Sequence, residues 1–255
     1  MFDRGEMRRE SGFYYQCGQC GRCCRDKVIT LSPYDVMRMA RAADLSTGDV
    51  IARYTLRRGS ILRFESDGAC AALRGALCTL HPGRPLACRL YPLGIERSGD
   101  GERFVRLESA EGSLGVYGDH QTVGEFLARQ EVQPYLDAVA CYERLIATFS
   151  ARLEQITDFE RVEPRAFYRR AVREALAESG YDPNPLIDAL FDSDGIAGRC
   201  EDEREAVGAH VNALETMIRS ESNPDRLAAA SALLAVSLGH SPRVCEQPAK
   251  ELRRA

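Results

Sequence analysis

Four cysteines within eight residues, Cys17-Gly18-Gln19-Cys20-Gly21-Arg22-Cys23-Cys24, constrain this chain more than any other stretch of its sequence. A C-x2-C turn brings two thiols to one side of a backbone that reverses within a few residues. Gly18 and Gly21 allow the positive φ that such turns use. Three thiols spaced C-x2-C-x2-C also suit one iron–sulfur cluster whose fourth ligand comes from a distant segment. Cys23 and Cys24 are neighbours, and neighbouring side chains diverge in most backbone conformations. One of the two is therefore expected to serve a second metal or a structural role.

The cysteines are unevenly spread. Cys17, Cys20, Cys23, Cys24, Cys70, Cys78 and Cys88 all precede residue 90, whereas Cys141, Cys200 and Cys245 stand alone at long intervals. A disulfide framework suits a short secreted chain with an even number of cysteines. The early group is odd, and the opening MFDRGEMRRESGF lacks the apolar run of a secretory signal. In a reducing compartment dense thiols are kept apart mainly by a metal. The expectation is thus a cytoplasmic protein in which those seven cysteines hold metal.

Composition narrows the partners. At 255 residues the chain suits one large domain or two small ones, and its 44% hydrophobic and 28% charged residues are those of an ordinary globular protein. A net charge of −4 gives no electrostatic case for nucleic acid or for an anionic membrane. The longest apolar stretch, 227–239, is too short to span a bilayer and reads as a core helix.

The pattern divides near residue 115, which makes the expected fold α+β: a small cysteine-rich, metal-organised domain at 1–115 and a mainly helical domain at 116–255. Residues 28–31 are β-prone and end at Ser32-Pro33, an N-cap followed by a first helical residue. A helix is expected from there to about Ala43, with Val36, Met37 and Ala40 on one face. Ser46 or Thr47 caps a second short helix through Tyr54. Residues 61–64 read as a strand, and 93–97 with 103–107 as a hairpin about Ser98-Gly99-Asp100-Gly101. Helical periodicity then gives 123–129, 134–156, 164–179, 185–191, 203–220 and 224–238. The first part carries a net positive charge and the remainder a net negative one. Arginines beside metal-bound thiolates would offset their charge; a solvated surface explains the bias almost as well.

The remaining early cysteines lie in Gly68-Ala69-Cys70, Cys78-Thr79-Leu80-His81 and Arg84-Pro85-Leu86-Ala87-Cys88-Arg89-Leu90-Tyr91-Pro92. Together with the C-x2-C-x2-C-C start, this segment resembles the YkgJ-type cysteine-cluster family (CxxCxxCC), described as zinc- or iron-chelating proteins. The likeness covers residues 13 to about 95. It implies that the seven early cysteines are the ligands, and it leaves the reaction undefined. A related cluster occurs in flagellin lysine N-methylases, so protein modification is a further implied possibility.

Ligand arithmetic keeps two metals open. One [4Fe–4S] cluster needs four ligands, which Cys17, Cys20, Cys23 and Cys88 supply. Two zinc sites need eight, which the seven cysteines and His81 supply. The three thiols in one loop favour the iron–sulfur cluster by a small margin, with zinc as the alternative. Redox chemistry goes with the first. A zinc-stapled module whose helical half binds a protein partner goes with the second. Asp192-Ser193-Asp194-Gly195 with Glu201 partly fits a calcium loop but lacks its first carboxylate, since Leu190 stands there. Phosphate-loop, dinucleotide-binding and H-E-x-x-H signatures are absent from the sequence.

Overall fold

Ser32-Pro33 opens the first helix by satisfying the amides that a helix start leaves free. A computed structural model describes residues 6–98, 101–157 and 184–240 of the chain. Helix α1, Pro33–Ala43, begins with a capping box: Ser32 Oγ accepts the Asp35 N–H at 3.1 Å, and the Asp35 carboxylate accepts the Ser32 N–H at 2.7 Å. Val36, Met37 and Ala40 are buried, as their spacing requires. Ser46 caps α2, Thr47–Tyr54.

From there to Pro92 the chain is nearly without regular structure. It makes four two-residue strands, β2 (Thr55–Leu56), β3 (Ile61–Leu62), β4 (Leu73–Arg74) and β5 (Leu77–Cys78), paired antiparallel as β2 with β3 and β4 with β5. The short helix α3, Leu86–Leu90, follows. The hairpin read from the sequence is present as β6 (Leu93–Ser98) and β7 (Gly101–Arg106), with Leu93 opposite Arg106.

One ladder has no counterpart in the sequence reading. Strand β1, Gly12–Gln16, pairs antiparallel with β8, Val116–Thr122, setting Gln16 opposite Val116. Phe13 and Tyr15 point inward, a period-two signal only five residues long. Gly118, Asp119 and His120 are poor strand formers, so β8 owes its conformation to its partner rather than to local preference.

The helical part follows the periodicity closely. Helix α4, Val123–Arg129, starts with a Thr122/Glu125 capping box, and α5 runs over Gln133–Ile156. Then come α6 (Pro185–Phe191), α7 (Ser193–Ala197), α8 (Glu203–Ser220) and α9 (Pro224–Ser237). The helix expected at 164–179 lies outside the described residues. Tyr142, Leu145 and Phe149 of α5 pack with Val211, Leu214 and Ile218 of α8 and Leu227 and Leu234 of α9. The same cluster takes in Leu31, Tyr34, Met39 and Leu80, so one apolar core extends to both sides of residue 115. Each such fully buried side chain contributes about 1.5–3 kcal/mol. A second cluster joins Phe13 and Tyr15 of β1 to Leu93, Phe104, Val123 and Phe126.

Polar contacts also tie the two parts together. Glu203 of α8 accepts Arg38 Nη1 at 2.6 Å and the Tyr34 hydroxyl at 2.5 Å. Asp192 and Asp194, two carboxylates of the partial calcium-loop pattern, bond backbone and hydroxyl groups instead. Asp192 accepts the Thr47 hydroxyl at 2.6 Å and the Gly195 N–H at 3.2 Å, and Asp194 accepts the Thr47 N–H at 3.0 Å. The fold is α+β. Among the described residues, no helix is long and apolar enough to cross a membrane.

Candidate metal centre

Strand β1 delivers the chain directly into the cysteine loop. The loop lies flat against residue 114: a Cβ on Gly18 would stand 2.4 Å from the Leu114 carbonyl oxygen, so only glycine fits there. Gly21 has φ 69°, the left-handed turn that starts a 3-10 turn over Arg22–Cys24. That tight turn overrides the divergence expected of neighbouring side chains. It leaves the Cys23 and Cys24 sulfurs 3.8 Å apart.

Two further segments arrive beside this turn. The Cys24 carbonyl accepts the Cys70 N–H at 2.9 Å, and Asp26 N–H donates to the Gly68 carbonyl at 2.9 Å. Cys78 sits on β5, paired with Leu73, and Leu73 lies three residues after Cys70. Cys88 lies on α3, whose start is fixed by Asp35 of α1: its buried carboxylate accepts the Leu86 N–H at 2.7 Å.

Behind Cys88 stands Arg89, only 2% exposed. It donates to the Gln130 carbonyl at 2.7 Å, to the Arg84 carbonyl at 3.2 Å and to the Pro82 carbonyl, and its guanidinium lies 4.9 Å from the Tyr135 ring centroid. The Tyr135 hydroxyl donates to the same Arg84 carbonyl at 3.0 Å. The segment carrying Cys88 is thus bolted onto α5 and the turn before it. The sequence marked Arg84 and Arg89 only as parts of a motif, and nothing in it pointed to Asp35, Gln130 or Tyr135 as their support.

Electrostatics shows which thiols share a neighbourhood. Burial pushes the Cys88 thiol up, and Cys70, Cys78 and Cys23 push it further. Burial likewise raises Cys70, with Cys78 and Cys23 adding to it, and raises Cys78, with Cys23 adding to it. Cys23 and Cys24 act as a pair. A Cys23 thiolate accepts the Cys24 S–H, which lowers Cys23 and raises Cys24. Five thiols from three segments therefore feel one another's charge. Ionised together they repel, and a thiophilic cation is the species that relieves the repulsion. In this sense the donor set fits a soft metal. Among the described residues, no three Cys, His, Asp or Glu side chains already stand around a common ligand position.

The other expected ligands lie apart. Cys17 is exposed, its sulfur accepting the Gln19 N–H at 3.4 Å. Cys20 is at the rim, where the backbone N–H of Leu114 and then that of Arg22 favour its thiolate. It feels Cys23, and Tyr91 feels both. His81 is exposed, with Arg84 Nη1 3.3 Å from its Nδ1; burial first, then Arg84 and Arg89, hold its pKa below the ordinary value. Tyr91 precedes a cis peptide to Pro92, and its hydroxyl accepts the Ala110 N–H at 3.0 Å. Cys141 lies on α5 and Cys200 near Glu205, both away from this group, and Cys245 is outside the described residues.

Residues 16–108 match the sequence model of the CxxCxxCC family, described as a putative zinc- or iron-chelating domain. No curated protein and no solved structure matches the chain. The matched stretch begins at the end of β1, passes β7, and contains all seven early cysteines. Over residues 16–108, less than half of its 255 residues, the chain is therefore similar to the CxxCxxCC family.

Proposed function

We propose that the chain binds a soft metal through thiolates of Cys23, Cys24, Cys70, Cys78 and Cys88, and that the metal ties the cysteine loop, the β4–β5 hairpin and α3 together. The observation that carries this reading is the close approach of the segments: the Cys23 and Cys24 sulfurs lie 3.8 Å apart, and the Cys24 carbonyl accepts the Cys70 N–H at 2.9 Å. A single tetrahedral ion, held by four of these five thiolates, is the form it supports best. Two sulfurs bound to one zinc at ~2.3 Å stand about 3.8 Å apart, and the Cys23 and Cys24 sulfurs are 3.8 Å apart. Zinc supplies charge neutralisation and cross-linking without redox chemistry. The protein is then a metal-stapled module, with its helical face free to meet a protein partner.

A [4Fe–4S] cluster is the second reading, favoured by the C-x2-C-x2-C spacing with Cys88 as the remote ligand. It would recruit Cys17 and Cys20 as well as Cys23, and it would supply one-electron chemistry. Anaerobic purification with metal and sulfide analysis separates the two. Colourless protein with stoichiometric zinc supports the first, and brown protein with about four irons and four sulfides supports the second. Protein that takes up neither, before or after reconstitution, sinks both.

A further inference from the structure

We propose that Cys23 and Cys24 form a reversible vicinal disulfide when no metal is bound, and that this bond closes the centre to metal until a thiol reduces it. The proposal rests on the thiolate-centre reading above and adds its regulation. The two sulfurs already stand 3.8 Å apart. A disulfide holds its sulfurs at ~2.05 Å, so a shift of about 1 Å by each covers the difference. The backbone keeps the pair together without help from a metal. Gly21 turns the chain at φ 69°, its carbonyl accepts the Cys24 N–H at 3.2 Å, and the Cys24 carbonyl accepts the Cys70 N–H at 2.9 Å. Both thiols are half-buried, so a small soluble disulfide reaches them more readily than it reaches the buried Cys70.

The oxidant is a low-molecular-weight disulfide such as oxidised glutathione. One cysteine thiolate attacks a glutathione sulfur, forming a mixed disulfide and releasing one glutathione thiolate. The neighbouring thiolate then attacks the protein sulfur, which closes the Cys23–Cys24 bond and releases the second. The two cysteine protons pass to the two glutathione thiolates. Two cysteines are thereby oxidised and one glutathione disulfide is reduced to two thiols. Adjacent residues have Cα atoms ~3.8 Å apart, nearer than the roughly 4.4–6.8 Å usual across a disulfide. Such a bond is strained, and strained disulfides are the readily reduced, regulatory ones. While it stands, Cys70, Cys78 and Cys88 alone remain of the five thiols, one short of the four donors of a structural zinc. Bound metal in turn engages the two thiolates and withholds them from the oxidant.

The test uses the full chain, reduced and metal-free, incubated anaerobically with oxidised glutathione, then alkylated and cut with trypsin. Cleavage after Arg22 and Arg25 isolates Cys23-Cys24-Arg25, which should be two hydrogens lighter and carry no alkyl label. The fraction of chain that loses Co²⁺ uptake, followed by thiolate absorption, should equal the fraction yielding this light peptide. Reduced glutathione should restore both, and prior loading with Zn²⁺ should slow formation of the light peptide about tenfold or more. Both cysteines alkylated at every glutathione ratio, or either one joined to a different cysteine, would overturn the proposal. Full Co²⁺ uptake by chain that yields the light peptide would overturn it equally. No Co²⁺ uptake by the reduced chain would instead overturn the thiolate-centre reading beneath it.

Discussion

The helical half and the cysteine-bearing half satisfy their backbones by different means. In α5, α8 and α9 the carbonyls are bonded within the helix, and Asp202 and Asn223 cap the starts of the last two. Between α2 and α3, residues 55–85 have no such regularity, and arginines take over much of the task. Arg63 donates to the carbonyls of Ala52 and Thr55, Arg74 to Ala71 and Leu73, Arg84 to His81, and Arg89 to Pro82, Arg84 and Gln130. The positive bias of this half is therefore neither only solvated surface nor only countercharge for thiolates. Much of it stands in for missing secondary structure. A region held by long polar side chains and thiols lacks the redundancy of an apolar core, where many contacts share the load.

Metal removal should expose that difference most strongly. Structural zinc contributes ~10 kcal/mol or more in small metal-organised modules. Chelation should therefore lower amide protection around Cys70, Cys78 and Cys88 by roughly 100-fold or more, and that of α8 and α9 by far less. Equal loss in both regions by hydrogen exchange would end the contrast. Next in size is Arg89→Ala, which takes the buried guanidinium away from the carbonyls of Pro82, Gln130 and Arg84, the last of which keeps the Tyr135 hydroxyl. Breaking such a buried charged network costs about 3–5 kcal/mol. Denaturant unfolding should register it, and a change under 1 kcal/mol would show that water replaces the guanidinium freely.

A pH effect sharpens the comparison from the helical side. His210 of α8 is fully buried between the Tyr142 hydroxyl at 2.7 Å and the Ala189 carbonyl at 2.8 Å, and burial holds its pKa down to about 4. The unfolded chain takes up this proton near pH 6.5 while the native state refuses it. The contribution is complete above pH 6.5 and is lost as the pH falls toward 4, by on the order of 3 kcal/mol. Metal-free protein should show the loss between pH 7 and 4.5, and His210→Gln should not. An equal loss in the variant would assign it to other groups. Smallest is Ser32→Ala, which removes the α1 cap for about 1 kcal/mol. Because Asp35 also holds α3, the same change should disturb metal uptake as well as melting temperature.

Whereas the five-residue helices α3 and α7 fall in stretches that read as loop, the longer helices were legible because their signals are local. Caps at Ser32, Ser46 and Thr122, prolines at helix starts, and 3.6-residue apolar periodicity place them within a residue or two of the observed bounds. The β1–β8 ladder was not legible, since β8 is polar and its partner lies far off in sequence. At the candidate site, the cysteine identities were evident and their grouping was only partly so. Spacing alone cannot tell that Gly21 folds Cys23 and Cys24 to one side, or that Cys17 stays in solvent. Spacing likewise hides Asp35, which reaches Leu86 from the opposite end of the domain.

The pairing of Gln16 with Val116 also sets an order of events during synthesis. The partner strand emerges about 100 residues after β1, and at ~5–20 residues per second that interval lasts on the order of 5–20 s. Throughout it the Cys17–Cys24 loop exists without the Leu114 backbone against which it finally rests. Its thiols are made about 100 residues before the strand that backs them. The nascent chain thus presents four clustered sulfurs to whatever oxidant, chaperone or metal ion surrounds the ribosome before the fold can choose among them.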